Sequence, residues 1–254
     1  MRAERITSRR NPLVARLRRL GTDKRARRAE GAFLCEGGKL VGEALRWGAE
    51  VELLAVAEGA APPEGLSPDV QVVELPAELL VYISTVETPQ GMLALCRAPA
   101  LTPPRELPPG RYLVLDGVQD PGNVGTIWRT ADAFGAAGLL LLPGCAEPFA
   151  PKTVRATMGA CFRLPVWEAE LGGLSALLRG ADIPLYAAAL RDDTADIRAI
   201  PLDRAAVVIG SEGRGVSQAV LDACEKTLKI PMRDRCESLN AAAAAAVVLW
   251  EGWH

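Results

Sequence analysis

The sequence has almost no histidine: the only one is His254, the last of 254 residues. That scarcity excludes a Ser-His-Asp triad, a Cys-His pair and a histidine-ligated zinc as the chemistry of this chain. Any catalysis must run on carboxylate, arginine, serine, asparagine or backbone groups, and no metal is expected. The six cysteines (Cys35, Cys96, Cys145, Cys161, Cys224 and Cys236) include no C-x-x-C pair. Their spacing suggests neither a zinc site nor a disulfide framework and fits a reducing, cytoplasmic setting. No apolar run reaches the roughly 18 residues of a membrane-spanning helix, so no membrane partner is expected. The arginine-rich start lacks the apolar stretch of a secretory signal, and Glu4, Asp23 and Glu30 argue against a transit peptide.

What is present is ordinary in amount and uneven in placement. A hydrophobic share of 49% and a charged share of 24% are those of a globular protein, long enough for one large domain or two modest ones. The net charge is −2, yet residues 1–30 hold eleven lysines and arginines against three acids, a local +8 that leaves −10 for the rest. A basic segment on an acidic protein is an electrostatic footprint for a polyanion, with a solvated, flexible arm as the alternative.

Apolar periodicity and turn residues predict two α/β regions. In residues 1–98 a basic helical stretch over 5–30 has Leu13, Leu17 and Leu20 on one face. Strands are predicted at 33–36, 51–56, 70–74 and 91–97, and helices at 39–47 and 77–84. Residues 99–110 hold Pro99, Pro103, Pro104, Pro108 and Pro109 and read as a semi-rigid linker that packs poorly. From 111 to 254, strands are predicted at 112–116, 138–142, 163–167, 185–189, 205–209 and 228–230. Helices between them are predicted at 125–134, 151–158, 174–179, 217–224 and 238–250. Continuous apolar strands separated by helices imply a parallel sheet covered on both faces, which binds ligands at the carboxyl ends of its strands.

Three stretches carry candidate chemistry. Asp120-Pro-Gly-Asn-Val-Gly-Thr-Ile-Trp-Arg129 makes a turn followed by a helix, with Asn123 as a candidate cap. Arg129 on the first turns opposes the helix dipole, which suits an anionic partner such as phosphate; a surface arginine is the plain alternative. Ile209-Gly-Ser-Glu-Gly-Arg-Gly215 follows a strand, where glycines permit close approach of backbone to a ligand. Its G-x-x-G-x-G spacing matches neither the dinucleotide fingerprint nor the P-loop, which speaks against a nucleotide-dependent oxidoreductase. A simple turn fits the glycines but leaves Glu212 unexplained. Finally, Ile230-Pro-Met, a polar loop and Ser238-Leu-Asn240 precede an alanine-rich run. Taken alone, Ser238 or Asn240 capping a helix accounts for that order.

Taken in order, these three motifs resemble the signatures of the SpoU/TrmH family of RNA ribose 2′-O-methyltransferases, part of the SPOUT superfamily. Pro151-Lys-Thr-Val-Arg-Ala-Thr-Met-Gly-Ala160 adds to the likeness and places Lys152 and Arg155 beside the candidate site. Ile6-Thr-Ser-Arg-Arg-Asn-Pro12, Phe33-Leu-Cys-Glu-Gly37 with Lys39, and Thr88-Pro-Gln-Gly91 resemble the N-terminal substrate-binding domain of many members, whose fold is like that of ribosomal protein L30e. The resemblance implies an α/β chain. Its residues 111–254 would form a parallel-sheet SPOUT domain with a C-terminal trefoil knot, and 1–98 a smaller L30e-like RNA-binding domain. It implies S-adenosylmethionine held by Gly210, Ile230, Pro231, Met232 and Leu239, and a homodimeric active site with Asn123, Arg129, Glu212, Ser238 and Asn240. Arg9, Arg10, Arg18, Arg25, Lys39, Lys152 and Arg155 would face RNA, ribosomal RNA ahead of transfer RNA. One departure is Ala242, where the family usually has serine; it leaves room for a non-catalytic RNA-binding protein of the same fold.

Overall fold

The computed structural model describes residues 4–191, 194–233 and 238–252, so Cys236 and His254 lie outside the described residues. The chain divides into two compact units. The first comprises 1–99 together with 149–162, and the second 100–148 together with 163–254.

The first unit starts with β1 (Glu4–Arg5), then α1 (Pro12–Thr22) and α2 (Lys24–Glu30). These replace the single helical stretch expected over 5–30. Asp23 causes the break: its side chain accepts the Arg25 N–H and so starts a new helix. Nor is this segment a flexible arm, because Val14, Leu17 and Leu20 are fully buried, each worth about 1.5–3 kcal/mol of transfer free energy. The unit continues with β2 (Ala32–Glu36), α3 (Gly38–Arg46), β3 (Val51–Ala57), β4 (Gln71–Leu75), α4 (Ala77–Ile83) and β5 (Met92–Arg97). The sheet order is β1-β4-β3-β5-β2. β4 runs parallel to both β1 and β3, while β5 is antiparallel to β3 and β2.

The second unit opens on β6 (Tyr112–Asp116), α5 (Pro121–Ala133) and β7 (Gly138–Leu141). The chain then visits the first unit as α6 (Pro151–Thr157) before returning as β8 (Val166–Glu168). There follow α7 (Leu171–Gly180), β9 (Leu185–Ala188), β10 (Ala195–Asp196), β11 (Ala206–Gly210), α8 (Gln218–Ala223), β12 (Lys226–Lys229) and α9 (Ala241–Glu251). The order is β10-β12-β9-β11-β6-β7-β8, and every pair is parallel, as the continuous apolar strands implied.

The proline-rich stretch is largely exposed, as expected, yet it is tethered. Leu107 is buried, Leu101 O accepts from Glu168 N at 2.7 Å, and Pro108 O accepts from the Tyr112 hydroxyl at 2.5 Å. Proline removes a donor but leaves a carbonyl free to accept, as Pro108 does, and the two carbonyls tether the segment within the second unit. Among the described residues, no helix is long and apolar enough to cross a membrane.

Candidate functional site

α5 begins four residues earlier than the apolar pattern suggested. Asp120, rather than Asn123, is its cap, accepting the Gly122 N–H at 3.0 Å with Pro121 in the first turn. The pair Asp-Pro was a sequence signal for that start, since proline fits where a helix leaves N–H groups unpaired. Asn123 is thereby freed for another task.

Asn240 is the cap of α9, its Oδ1 accepting from Ala242 N at 2.9 Å and Ala243 N at 3.3 Å. With that oxygen spent, its amide nitrogen turns to Asn123 Oδ1 at 3.3 Å. Asn123 must then present its own nitrogen on the other side, where it donates to Glu212 Oε1. The direction of the whole chain, Asn240 to Asn123 to Glu212, follows from the donors and acceptors each amide has left. Three residues from three motifs, up to 117 positions apart, thus form one polar line ending in a carboxylate.

The glycine loop explains why β11 ends as it does. Ser211 and Gly215 exchange both backbone hydrogen bonds, at 3.1 and 2.9 Å, folding the loop back on itself. A Cβ on Gly210 would collide with the Gly215 and Val216 backbone, so only glycine fits there. Ser217 N donates to Asp116 at 2.6 Å and ties the loop to the end of β6.

Between this loop, the ends of β9 and β12 and the start of α9 lies a cavity of about 400 Å³. That is within the ordinary range for a small-molecule site. Gly210, Ile230, Met232 and Leu239 line it, as do Glu212 and Ser238, while Pro231 is not among its lining residues. Ala188–Leu190 at the end of β9, Val216, Leu228 and Ala244 supply further wall, and Arg214 and Lys229 supply two cations. Apart from Arg214, which sits inside the glycine motif, these were not singled out because wall residues scattered over strand ends, a loop and a helix carry no local pattern. Glu212 is the only carboxylate among the described lining residues.

Arg129 stands apart from the polar line. It is exposed on α5, six residues beyond Asn123, or about 120° around and 9 Å along the helix. It has no hydrogen bond or ion pair among the described residues. Ala242 is buried on α9, so the methyl that replaces the family's usual serine is packed.

The candidate RNA-facing residues fall in several places on the first unit. Arg9 and Arg18 both approach the Tyr82 ring, at 4.9 and 4.3 Å from its centroid. Arg10 and Arg25 are exposed. Lys39 and Arg155 line a second cavity, and Lys152 is exposed on α6. Other basic residues of the N-terminal segment are structural: Arg16 and Arg19 pair with Glu30 at 2.6 and 2.5 Å, and Arg27 is buried, donating to Leu20 O at 2.6 Å. Among the described residues, no group of three or more His, Cys, Asp or Glu is placed to hold a metal.

A parallel sheet with a cavity at its strand ends, walled by a glycine loop and mainly apolar side chains, defines an α/β domain with a small-molecule site. Comparison with known proteins makes this specific. The model of the SpoU rRNA Methylase family matches residues 110–250, and that of the MRM3-like substrate binding domain matches 11–94. The 23S rRNA (guanosine(2553)-2'-O)-methyltransferase RlmP of Bacillus subtilis is 34% identical over 247 residues, covering 96% of this chain and 97% of that protein. The crystal structure of an AdoMet-bound rRNA methyltransferase from Sinorhizobium meliloti superposes with a TM-score of 0.88 at 31% identity, covering 98% and 97% of the two chains. That of the SpoU methyltransferase AviRb from Streptomyces viridochromogenes, in complex with AdoMet, has a TM-score of 0.85 at 27% identity, covering 96% and 97%. The chain belongs to the SpoU/TrmH family, RNA ribose 2′-O-methyltransferases of the SPOUT fold that use S-adenosylmethionine as methyl donor.

Proposed function

We propose that this protein methylates a ribose 2′-hydroxyl of ribosomal RNA in the cytoplasm. Its residues 1–98 would be the RNA-binding domain, 99–110 the connection and 111–254 the methyltransferase domain. The observation that carries this reading is the meeting of all three motifs at one cavity edge, with Glu212 shared between the polar line and the cavity wall. The largely apolar cavity fits S-adenosylmethionine. Gly210, Ile230, Met232 and Leu239 would hold it along the wall, with Pro231 fixing the turn between two of them. When bound, it supplies a methyl group on a positively charged sulfur, already reactive toward an oxygen nucleophile.

The chain's own residues then align a ribose hydroxyl and remove its proton. Glu212 is the proton acceptor, because a guanidinium holds its proton too tightly to act as a base near neutral pH. Asn123 and Asn240 fix the Glu212 carboxylate, and Ser238 positions the hydroxyl at the cavity. Arg129 grips the target phosphate, for which its fork is suited. It faces away from its own Asn123, so it serves the cavity of a second copy in a homodimer. Trp250, 54% exposed and edge-on to Phe134 at 6.0 Å, supports that apolar face as the dimer contact. A trefoil knot accords with Met232 and Leu239 returning to the Gly210 loop on either side of 233–238. Arg9, Arg10, Arg18, Arg25, Lys39, Lys152 and Arg155 face the RNA. Free cysteines, including Cys35 and Cys96, whose thiols hydrogen-bond at 3.7 Å without a disulfide, suit a reducing compartment.

Replacing Arg129 by Ala tests the assignment. Methyl transfer should fall about a hundredfold or more, with S-adenosylmethionine binding retained by calorimetry. Methylation at the wild-type rate would remove Arg129 from the mechanism.

A further inference from the structure

Within the first unit a cavity of about 290 Å³ opens beside the start of α3; two of the cations assigned above to the RNA line it, but the methyl-transfer step does not involve it. Three segments wall it: the turn at 36–40, the loop at 86–90 and the end of α6. Leu40, Val86 and Met158 give it an apolar lining, while Lys39 and Arg155 bring two cations and Gln90 an amide.

The wall is built rather than incidental. The Glu36 side chain is only 8% exposed. It accepts from the Ser84 hydroxyl at 2.8 Å, Thr85 N at 2.9 Å and the Thr85 hydroxyl at 2.7 Å. Arg155 Nη1 donates to the Thr85 hydroxyl oxygen at 2.7 Å and stands 4.0 Å from Glu36 Oε1. The one carboxylate of the cavity is therefore spent on pinning the loop and the arginine. Gly37, at φ +96°, lets Gln90 cross close above the backbone, where a Cβ would strike its Oε1. Met158 closes α6 at φ 50° and keeps 38% of its surface exposed. A bulky side chain in the left-handed region is uncommon, and an apolar one held open there asks for a ligand.

We propose that this cavity receives a single unpaired nucleotide of the RNA substrate, its base against Leu40, Val86 and Met158 and its phosphate against Lys39 and Arg155. The inference rests on RNA being the substrate. A simple anion would need no apolar lining, and an apolar peptide side chain would need no pair of cations. A nucleotide needs both, and single-stranded RNA is recognised by bases turned out of the stack with backbone phosphates held by Lys and Arg.

The full-length protein labelled at its methionine methyl groups provides the test. Its methyl resonances are followed by NMR on separate addition of the four ribonucleoside 5′-monophosphates, inorganic phosphate and S-adenosylmethionine. At least one nucleotide should move the Met158 methyl saturably and further than phosphate does. Lys39→Glu should weaken that response about tenfold and raise KM for RNA in methyl transfer similarly. Met158→Asn, a residue that tolerates the left-handed region, should likewise raise KM for RNA while the melting temperature is kept. A Met158 signal unmoved by every nucleotide, or a response confined to Met232 in the cofactor cavity, overturns the proposal. If wild-type protein transfers no methyl group to RNA, the functional reading fails instead, and the nucleotide titration still decides the cavity.

Discussion

At Asn240 one side-chain oxygen does a helix's capping and thereby sets the polarity of two further hydrogen bonds. The outcome is a Glu212 carboxylate aimed by neutral amides rather than by a cation, on a wall where it is the only acid among the described residues. Glu212→Gln tests its role, since glutamine retains an oxygen for Asn123 while the charge and the second acceptor oxygen are lost. Methyl transfer at saturating substrate should drop about a hundredfold or more, with the melting temperature nearly unchanged. An unaltered rate would make Glu212 a loop-fixing residue. These residues were singled out by the resemblance of their motifs to the SpoU/TrmH signatures, the glycine run alone saying only that a close backbone approach is permitted there. Their connectivity was not legible: residues 117 positions apart meet only through the packing of α5 against α9, and the freeing of Asn123 depends on Asp120 taking the cap.

Helices and strands place these residues, and caps decide where the helices start. Asn240→Ala should destabilise the protein by about 1 kcal/mol through loss of the α9 cap and should also slow methylation. Asn240→Asp retains the capping oxygen but not the donor toward Asn123, so denaturation should show near-native stability while methyl transfer falls. Equal activity in both proteins would separate the polar line from the chemistry. On the first unit, Glu30 holds α2 to α1 by accepting from Arg16 and Arg19. Burial pushes its carboxyl up, but the hydrogen bonds from Arg16 and Arg19 outweigh this and hold it below the ordinary 4.5. A depressed carboxyl stabilises the folded state above the unfolded value and loses that contribution as pH falls through the folded one. Urea midpoints should therefore decline below about pH 4.5, and Glu30→Gln should flatten that decline; an unchanged acid limb would show that the pairs add nothing. Element type was readable from period and turn residues through most of the chain. The exceptions have physical reasons: β1 and β10 are two residues long, too short to display a period, and the break at Asp23 replaces one basic helix by two.

At the scale of the whole molecule, the two units share one chain in an interleaved order, with 149–162 leaving the second unit for the first. The strong alternation of strand and helix made two α/β regions legible, but nothing local marks an excursion of this kind. The proline-rich stretch is largely exposed, as its composition implied, but the buried Leu107 and the carbonyl hydrogen bonds that tether it leave no pattern in composition. Charge misled in part for the same reason: Arg16, Arg19 and Arg27 belong to the fold of the first unit, so the basic footprint is smaller than +8 suggests. The most direct test of the central claim is transfer of radiolabelled methyl from S-adenosylmethionine to unmodified ribosomal RNA and, separately, to transfer RNA, followed by nucleoside analysis. A 2′-O-methylated nucleoside from ribosomal RNA is the predicted product. A base-methylated nucleoside, or no transfer to either RNA by protein that binds the cofactor, would contradict the account.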